Sequence, residues 1–212
     1  MRVYDLTHTV RTGMPVYPGT EPPTVTPAAT LARDGYRETA VSLWSHVGTH
    51  MDAPAHLLAE GTTLDRLPPE RFMGPAALLD CRGQERVTPE TAETLPLSEL
   101  RFVILRTGWE ERFGAPSYFA GYPRLTPEAA QRLAAAGLYG VGIDAPSVDP
   151  VGVPLTIHRI LLGAGLVILE NLRGLDALPE RFELLALPLR IGDADGAPAR
   201  VLARAGAIDE IK

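Results

Sequence analysis

Three of the five histidines in the chain lie within residues 46–56, whose sequence is HVGTHMDAPAH. Neutral imidazoles together with carboxylates are ligands that suit Zn²⁺ and Mn²⁺. Three ligands from one short segment leave at least one coordination position open, and such an ion can activate a water molecule for attack on a carbonyl group. The segment therefore predicts a catalytic metal site. The chain has a single cysteine, Cys81, and therefore cannot build a Cys-rich structural zinc site.

Regular secondary structure cannot gather these side chains. In a helix, Asp52 would lie about 240° around the axis from His46. In a fully extended chain, His46 and His56 would lie more than roughly 30 Å apart. Gly48 and Pro54 are the residues at which the chain turns most easily. We therefore expect a folded loop in which two imidazoles and the carboxylate meet and a third imidazole stands nearby.

Two residues far along the chain are candidates for further ligands. A short helix over Thr156 to Leu162 followed by a strand over Leu166 to Leu169 would bring His158 and Glu170 to the same level. Glu170 directly follows five uncharged residues, and a buried carboxylate without a partner is costly, so a bound cation would account for it. The alternatives are a solvated strand end for Glu170 and a polar loop with incidental histidines for residues 46–56.

Other polar groups are assigned no catalytic function. His8, beside Asp5 in a first strand, is expected to make a structural hydrogen bond. Cys81 is expected to be a small buried apolar side chain. Residues 193–196, of sequence DADG, resemble the start of a calcium-binding loop. A twelve-residue loop starting there would place Arg204 where a bidentate Glu is required, so calcium binding is not predicted.

Short apolar runs rich in β-branched and aromatic residues predict the strands that must position these groups. They are Thr39 to Trp44, Ala76 to Leu79, Phe102 to Leu105, Val141 to Ile143, Leu166 to Leu169, Phe182 to Leu187 and Val201 to Leu202.

The clearest helix is predicted over Pro127 to Ala136, because Thr126 is a good N-cap and Gly137 can end the helix. Residues 88–90, of sequence TPE, give a weaker helix start of the same kind. No long linker divides the chain, so residues 1–212 are predicted to form a single α/β domain with a mixed sheet.

The N-terminal third differs from the rest of the chain. Five prolines between residues 15 and 27 predict an irregular, ordered segment, and long ordered loops of this kind are usually functional. Tyr17, in the sequence MPVYPG of residues 14–19, is expected either to line a binding pocket or to pack the loop.

The composition limits the possible partners. The 212 residues carry a net charge of -6, from 20 Lys and Arg against 26 Asp and Glu, which argues against nucleic-acid binding and favours a small-molecule substrate. No run approaches the roughly 18 apolar residues of a membrane span, and residues 1–5 lack the apolar region of a signal peptide. We therefore expect a cytoplasmic protein with no membrane association.

Residues 46–56 resemble the HxGTHxDxPxH signature of the metal-dependent cyclase family, which includes bacterial kynurenine formamidases and isatin hydrolases. Further matches follow in the family's order along nearly the whole chain. They are residues 5–7 (DLT), 15–19 (PVYPG), 142–149 (GIDAPSVD), His158, 170–172 (ENL) and 186–189 (ALPL).

The resemblance implies a site with two divalent ions, Zn²⁺ in the first place and Mn²⁺ as the alternative. One ion would be held by His46, His50 and Asp52. Asp52 would reach both ions together with Glu170, and His158 would complete the second. The family also implies that His56, which is not a ligand, donates and accepts the proton of the reaction.

The family further implies a swivelling β/β/α fold, a barrel-like mixed sheet with flanking helices, and a homodimer or larger homo-oligomer. The leading function is arylformamidase activity, the hydrolysis of N-formyl-L-kynurenine to L-kynurenine and formate in tryptophan catabolism. Kynurenine formamidases usually carry Trp at the position of Tyr17 and Ala at that of Thr49. These differences keep open a second alternative, an isatin hydrolase-like enzyme that hydrolyses a cyclic amide or another small amide or ester. A non-catalytic metal-binding protein is the third alternative.

Overall fold

The computed structural model describes residues 1–206, in which twelve strands and four α-helices connect through short 3₁₀ turns. The strands are β1 (Arg2–Asp5), β2 (Thr24–Ala29), β3 (Glu38–Ser42), β4 (His50–Asp52), β5 (Met73–Asp80), β6 (Arg86–Val87), β7 (Phe102–Arg106), β8 (Arg124–Leu125), β9 (Gly140–Ile143), β10 (Val167–Glu170), β11 (Arg181–Pro188) and β12 (Gly196–Ala205). The helices are α1 (Leu31–Asp34), α2 (Pro89–Ala92), α3 (Pro127–Ala134) and α4 (Thr156–Gly163).

Seven strands close into a barrel in the order β12-β11-β5-β7-β9-β10-β4, and β4 pairs again with β12. The pairs β5–β7, β7–β9 and β9–β10 are parallel, whereas β4, β11 and β12 pair antiparallel. The long strand β12 offers its first three residues to β4 and its last four to β1. The predicted α/β fold with a barrel-like mixed sheet and flanking helices is confirmed.

The central strands are buried on both faces, as parallel strands covered by helices require. Along β7, Val103 and Leu105 belong to a core cluster that also contains Leu133 of α3 and Leu161 of α4. The alternate residue Phe102 belongs to a second cluster with residues of β4, β5, β10, β11 and β12, which fills the barrel interior. The apolar runs predicted at β5, β7, β9 and β10 are therefore the strands that separate these two cores.

The two helices predicted from their N-terminal residues are also present. Thr126 Oγ1 accepts a hydrogen bond from Ala129 N at 3.2 Å, and Pro127 occupies the first helical position of α3. The helix ends at Ala134, two residues before the predicted end, and Gly137 follows with φ of +74°. The weaker start signal at residues 88–90 corresponds to the short helix α2.

One expectation for the N-terminal third is wrong. The proline-rich segment is not irregular throughout, because β2 includes Pro27 and pairs with β3. A two-stranded ribbon tolerates this proline, since neither strand has a further neighbour among residues 1–206 that needs its N–H group. The strand predicted over Thr39 to Trp44 corresponds to β3, which in this part of the chain pairs with β2 alone and lies outside the barrel sheet.

Among residues 1–206, no helix combines the length and apolar character that crossing a bilayer requires.

Candidate active site

The first strand of the site is β4, where the sequence predicted only loop. His50 and Asp52 point to the same face because side chains alternate along a strand. Glu170 of the neighbouring strand β10 lies directly opposite His50 in the antiparallel register. Cross-strand pairing therefore brings three of the predicted ligands together.

The expected bends on either side of β4 are present. Gly48 has φ of +66°, and a Cβ there would lie 3.0 Å from Met14 Cε, so this close approach favours glycine. Pro54 begins a single 3₁₀ turn that ends at His56. The two bends fold the segment back on itself, and the ring centroids of His46 and His56 lie 4.1 Å apart.

One group of donor atoms surrounds the Oδ1 atom of Asp52. His46 Nδ1 lies 2.7 Å from it, and His50 Nε2 lies 3.3 Å from it. The ligand atoms of these three residues all lie within 4.8 Å of one another, and His50 and Asp52 are buried. The arrangement is compact enough for a single ion to contact all three.

A second group lies on the other side of the same carboxylate. His158 Nε2 is 3.5 Å from Asp52 Oδ2 and 3.4 Å from Glu170 Oε1. Glu170 also reaches the first group, because its Oε2 atom lies 3.5 Å from His50 Nε2. Asp52 and Glu170 thus lie between the two groups, where each could contact two ions.

The charges of these buried groups depend strongly on one another. Burial lowers the pKa of His50, but the Asp52 carboxylate and then Glu170 raise it to about 10. Burial raises the pKa of Asp52, but the imidazoles of His46 and His50 bring it well below the usual range. Without an ion, the cluster therefore holds protons on its histidines to balance its carboxylates. A divalent cation can take the place of those protons.

Hydrogen bonds behind the ligands orient the imidazoles. His50 Nδ1 lies 2.8 Å from the carbonyl oxygen of Gly48, and His158 Nδ1 lies 2.8 Å from Asp149 Oδ2. Each contact places a proton on Nδ1, so that Nε2, which faces the carboxylate cluster, is the nitrogen that could bind an ion after losing its proton. Metal-binding histidines commonly have such partners.

These residues line a cavity of about 300 Å³. Tyr17 is part of its wall, and its ring packs edge-on against Phe119 with centroids 6.4 Å apart. Trp44 also lines the cavity and is 54% exposed, which places it where the cavity opens to solvent. Within the described part of the chain, the cavity lining contains no Lys or Arg.

Each residue that the sequence analysis proposed for the site is found there. His46, His50, Asp52, His158 and Glu170 form the two donor groups, and His56 and Tyr17 line the same cavity. His8 lies apart from the donor groups and stacks on Phe113 with ring centroids 3.7 Å apart. Its buried Nε2 atom has no hydrogen-bond partner among the described residues, so the structural hydrogen bond expected of this side chain is not confirmed. Cys81 is fully buried, as expected, and burial raises its pKa to about 12.

Sequence reasoning assigned no function to two acidic residues of the site. Asp149 contacts His158, and Asp195 contacts His46 and His56. Asp149 belongs to residues 142–149, which the sequence analysis matched to the family without assigning them a function. Asp195 was considered only as part of a calcium-binding loop, and the sequence around it gives no signal that it lies near His46 and His56.

Comparison with known proteins agrees with this architecture. A family model described as "Putative cyclase" matches residues 4–150. The kynurenine formamidase of Salinibacter ruber is 36% identical over 211 residues, which cover 96% of this chain and 98% of the relative. The kynurenine formamidase of Paracidovorax citrulli is 34% identical, covering 95% of this chain and 96% of the relative.

Solved structures show the same fold. Isatin hydrolase A from Labrenzia aggregata, bound to benzyl benzoate, has a TM-score of 0.86 at 30% identity and covers 95% of this chain and 93% of its own. A structure described as a potential metal-dependent hydrolase with cyclase activity has a TM-score of 0.82 at 31% identity, covering 95% and 96%. The family model and the relatives span most of the chain, and the chain belongs to the cyclase family.

Proposed function

We propose that this protein is a metal-dependent amide hydrolase that converts N-formyl-L-kynurenine to L-kynurenine and formate. The observation that carries the proposal is the convergence of two donor groups on Asp52, beside His56, in an apolar-walled cavity. Near full-length likeness to kynurenine formamidases supports the choice of substrate.

The donor set fits divalent ions. Asp52 and Glu170 are buried carboxylates whose near neighbours are imidazole nitrogens rather than Lys or Arg side chains. We assign one ion to His46, His50 and Asp52, and a second to Asp52, His158 and Glu170. Mixed imidazole and carboxylate ligands favour Zn²⁺, with Mn²⁺ as the alternative. When bound, such ions supply a water activated for attack on the formyl carbon.

His56 is proposed to carry the proton of the reaction. Its Nδ1 atom faces Asp195 at 3.1 Å, so Nε2 on the other side of the ring is available within the cavity. Cleavage of the formyl C–N bond requires a proton on the departing arylamine nitrogen, and an imidazole at this place can deliver one taken from the attacking water. The apolar wall that includes Tyr17 and Phe119 would hold the aryl ring in position.

The proposal is tested by assaying the protein loaded with Zn²⁺ or Mn²⁺ on N-formyl-L-kynurenine, with formate and kynurenine measured separately. Equal amounts of both products, and their loss after chelation, are expected. Elemental analysis of the same samples should give close to two ions per chain. Absence of turnover at full occupancy would reject the substrate.

A specific observation favours a second candidate, a small neutral cyclic amide such as isatin. The cavity lining described above offers no Lys or Arg to pair with the α-carboxylate of an amino-acid substrate. An uncharged ring compound needs no such partner. Assays of N-formyl-L-kynurenine and isatin on the same metal-loaded preparation separate the two candidates by kcat/KM. Failure of a panel of amides, esters and lactones would favour a non-catalytic metal-binding protein.

We also propose that the protein is a cytoplasmic homo-oligomer. The β2–β3 ribbon pairs with no other strand in the described residues, and an isolated two-stranded ribbon is only marginally stable in water. Apolar side chains on and near it, Leu31, Tyr36 and Val41, are each more than half exposed. A second copy covering this surface would stabilise it. Light scattering after size-exclusion chromatography tests the assembly, and cell fractionation tests the location.

A further inference from the structure

The carboxylate of Asp195 lies between two histidines to which we assign different functions. Its Oδ2 atom lies 2.9 Å from Nε2 of His46 and 3.1 Å from Nδ1 of His56. Its Oδ1 atom accepts a hydrogen bond from the Ser45 hydroxyl at 3.2 Å. One carboxylate oxygen therefore contacts both a proposed metal ligand and the proposed proton carrier.

The backbone around Asp195 is fitted closely to His46. The Asp195 carbonyl oxygen accepts a hydrogen bond from Ala53 N at 2.8 Å, which fixes the loop to the end of β4. The next residue, Gly196, begins β12, and a Cβ there would lie 2.5 Å from His46 Cε1. Only a residue without a side chain allows β12 to approach the imidazole this closely.

We propose that Asp195 is a positioning residue that selects the tautomers of both His46 and His56, an inference that rests on the proposed function. An ionised carboxylate can only accept hydrogen bonds, so the two ring nitrogens that face it must carry protons. With one proton of His46 held on Nε2, displacement of the Nδ1 proton by the assigned ion would leave an Nδ1 lone pair to bind that ion beside Asp52. The proton on His56 Nδ1 leaves Nε2 free to accept a proton in the cavity.

The arrangement differs from an ordinary surface ion pair. The Asp195 side chain is 45% exposed, so its burial contributes little to the core. Its three side-chain partners, Ser45, His46 and His56, all line the candidate active site. Removal of this carboxylate is therefore expected to affect function more than folding.

The test compares Asp195→Asn with the matched control Asp193→Asn. Asp193 lies two residues earlier on the same loop and pairs at the surface with Arg66 at 3.0 Å, away from the histidines. For Asp195→Asn, we expect kcat to fall about 10- to 100-fold with KM nearly unchanged, and Mn²⁺ affinity at one of the two ions to fall about 10- to 100-fold. Asp193→Asn should change neither quantity.

Nitrogen NMR of the Zn²⁺-loaded protein gives a readout that is independent of turnover. In the unsubstituted protein, the His56 ring should carry its proton on Nδ1, and Asp195→Asn should shift the population toward the Nε2–H tautomer. Unchanged kcat, metal affinity and tautomer in Asp195→Asn would overturn the proposal. So would three ions per chain that fall to two, because Asp195 would then be a ligand. If the unsubstituted protein hydrolyses neither substrate, the proposed function fails, while NMR and metal affinity still decide the inference about Asp195.

Discussion

One oxygen of the Asp149 carboxylate, Oδ2, lies 2.8 Å from Nδ1 of His158 and accepts a hydrogen bond from the backbone nitrogen of the same residue at 2.9 Å. The other oxygen accepts a hydrogen bond from Ile157 N at 3.0 Å. Asp149 thus satisfies free N–H groups in the first turn of α4 and also fixes the imidazole that this turn presents. The start of the helix and the orientation of a proposed ligand depend on the same carboxylate.

Asp149→Ala should therefore weaken both properties. We expect the free energy of unfolding of the metal-free protein to fall by about 1–2 kcal/mol, as for loss of a helix cap. Mn²⁺ affinity should fall about 10- to 100-fold, as for loss of a partner behind a metal-binding histidine. Urea denaturation and isothermal titration calorimetry measure the two effects. Asp149→Asn keeps one acceptor oxygen, so its free energy of unfolding and its Mn²⁺ affinity should lie between those of Asp149→Ala and the unsubstituted protein. Mn²⁺ binding by Asp149→Ala as tight as that of the unsubstituted protein would contradict this account.

His56→Ala should separate proton transfer from metal binding. Loss of a general acid or base costs about 10²- to 10⁴-fold in rate, so kcat should fall by that range while the metal content stays unchanged. Elemental analysis and steady-state kinetics on the same preparation check both quantities. His50→Ala is the comparison, because this residue is a proposed ligand and its loss should lower the metal content. A parallel loss of metal and activity in His56→Ala would make His56 a ligand instead.

The histidine cluster should make the metal-free protein sensitive to alkaline pH. Burial lowers the pKa of His158, but the Asp149 and Asp52 carboxylates raise it to about 12, and that of His50 is raised to about 10. A folded-state pKa above the ordinary value of 6.5 stabilises the fold fully below pH 6.5. This contribution is lost as the pH rises from 6.5 toward 10.

We therefore expect Tm in excess chelator to fall between pH 6.5 and 10. Metal affinity should rise over the same range, because a bound ion must displace these protons. Thermal denaturation follows the first effect. Calorimetry in two buffers of different ionisation enthalpy measures the protons released. A Tm that stays constant across this range, or binding that releases no protons, would show that the imidazoles are already neutral.

Tyr17 should contribute to substrate affinity more than to the rate of the chemical step. Its ring lines the cavity beside Phe119 and belongs to neither donor group. Tyr17→Ala removes the aromatic surface, and we expect KM for an aryl substrate to rise about tenfold, on the scale of one lost aromatic contact, with kcat changed much less. Tyr17→Phe keeps the ring and serves as the control. Steady-state kinetics with N-formyl-L-kynurenine and isatin would also show which substrate depends on this wall.

The parts of the fold that bury apolar side chains could be predicted from the sequence. The strands β5, β7, β9, β10 and β11 follow from their apolar runs, and α3 follows from Thr126 and Pro127. Strand β4 could not be predicted in this way, because only Met51 of its three buried residues is apolar and packs in the barrel interior. The other two, His50 and Asp52, are polar and share the opposite face. A polar pair on a buried face reverses the usual pattern, and such reversals are expected at functional sites.

The contacts of Asp195 with the histidines could not be predicted from the sequence. It lies 149 residues from His46 along the chain, and only closure of the barrel through the β4–β12 pairing brings them together. Residues 46–56 contain the local signal for a metal site, since their types and spacing are visible in a short stretch. The partners that orient those side chains come from distant loops. These partners can be identified only when the strand pairing of the barrel is known.

Gly196 lies where β12 passes closest to the proposed metal ligand His46. A Cβ at this position would lie 2.5 Å from His46 Cε1, which is too short for two carbon atoms, and 3.0 Å from the Met51 carbonyl oxygen, which is a tight contact. The backbone oxygen cannot move without disturbing β4, so the imidazole of His46 must shift. Gly196→Ala should therefore lower the affinity for one ion and reduce activity, while the ion assigned to His158 and Glu170 remains.

Gly192→Ala is the matched control, because a Cβ at Gly192 meets nothing within 4 Å. Mn²⁺ titration followed by electron paramagnetic resonance would count the ions held by each variant. We expect close to two ions per chain for Gly192→Ala and close to one for Gly196→Ala at the same Mn²⁺ concentration. Two equally tight ions in Gly196→Ala would mean that the His46 imidazole can move without loss of the ion. The close approach of β12 would then be a packing feature with no influence on the metal.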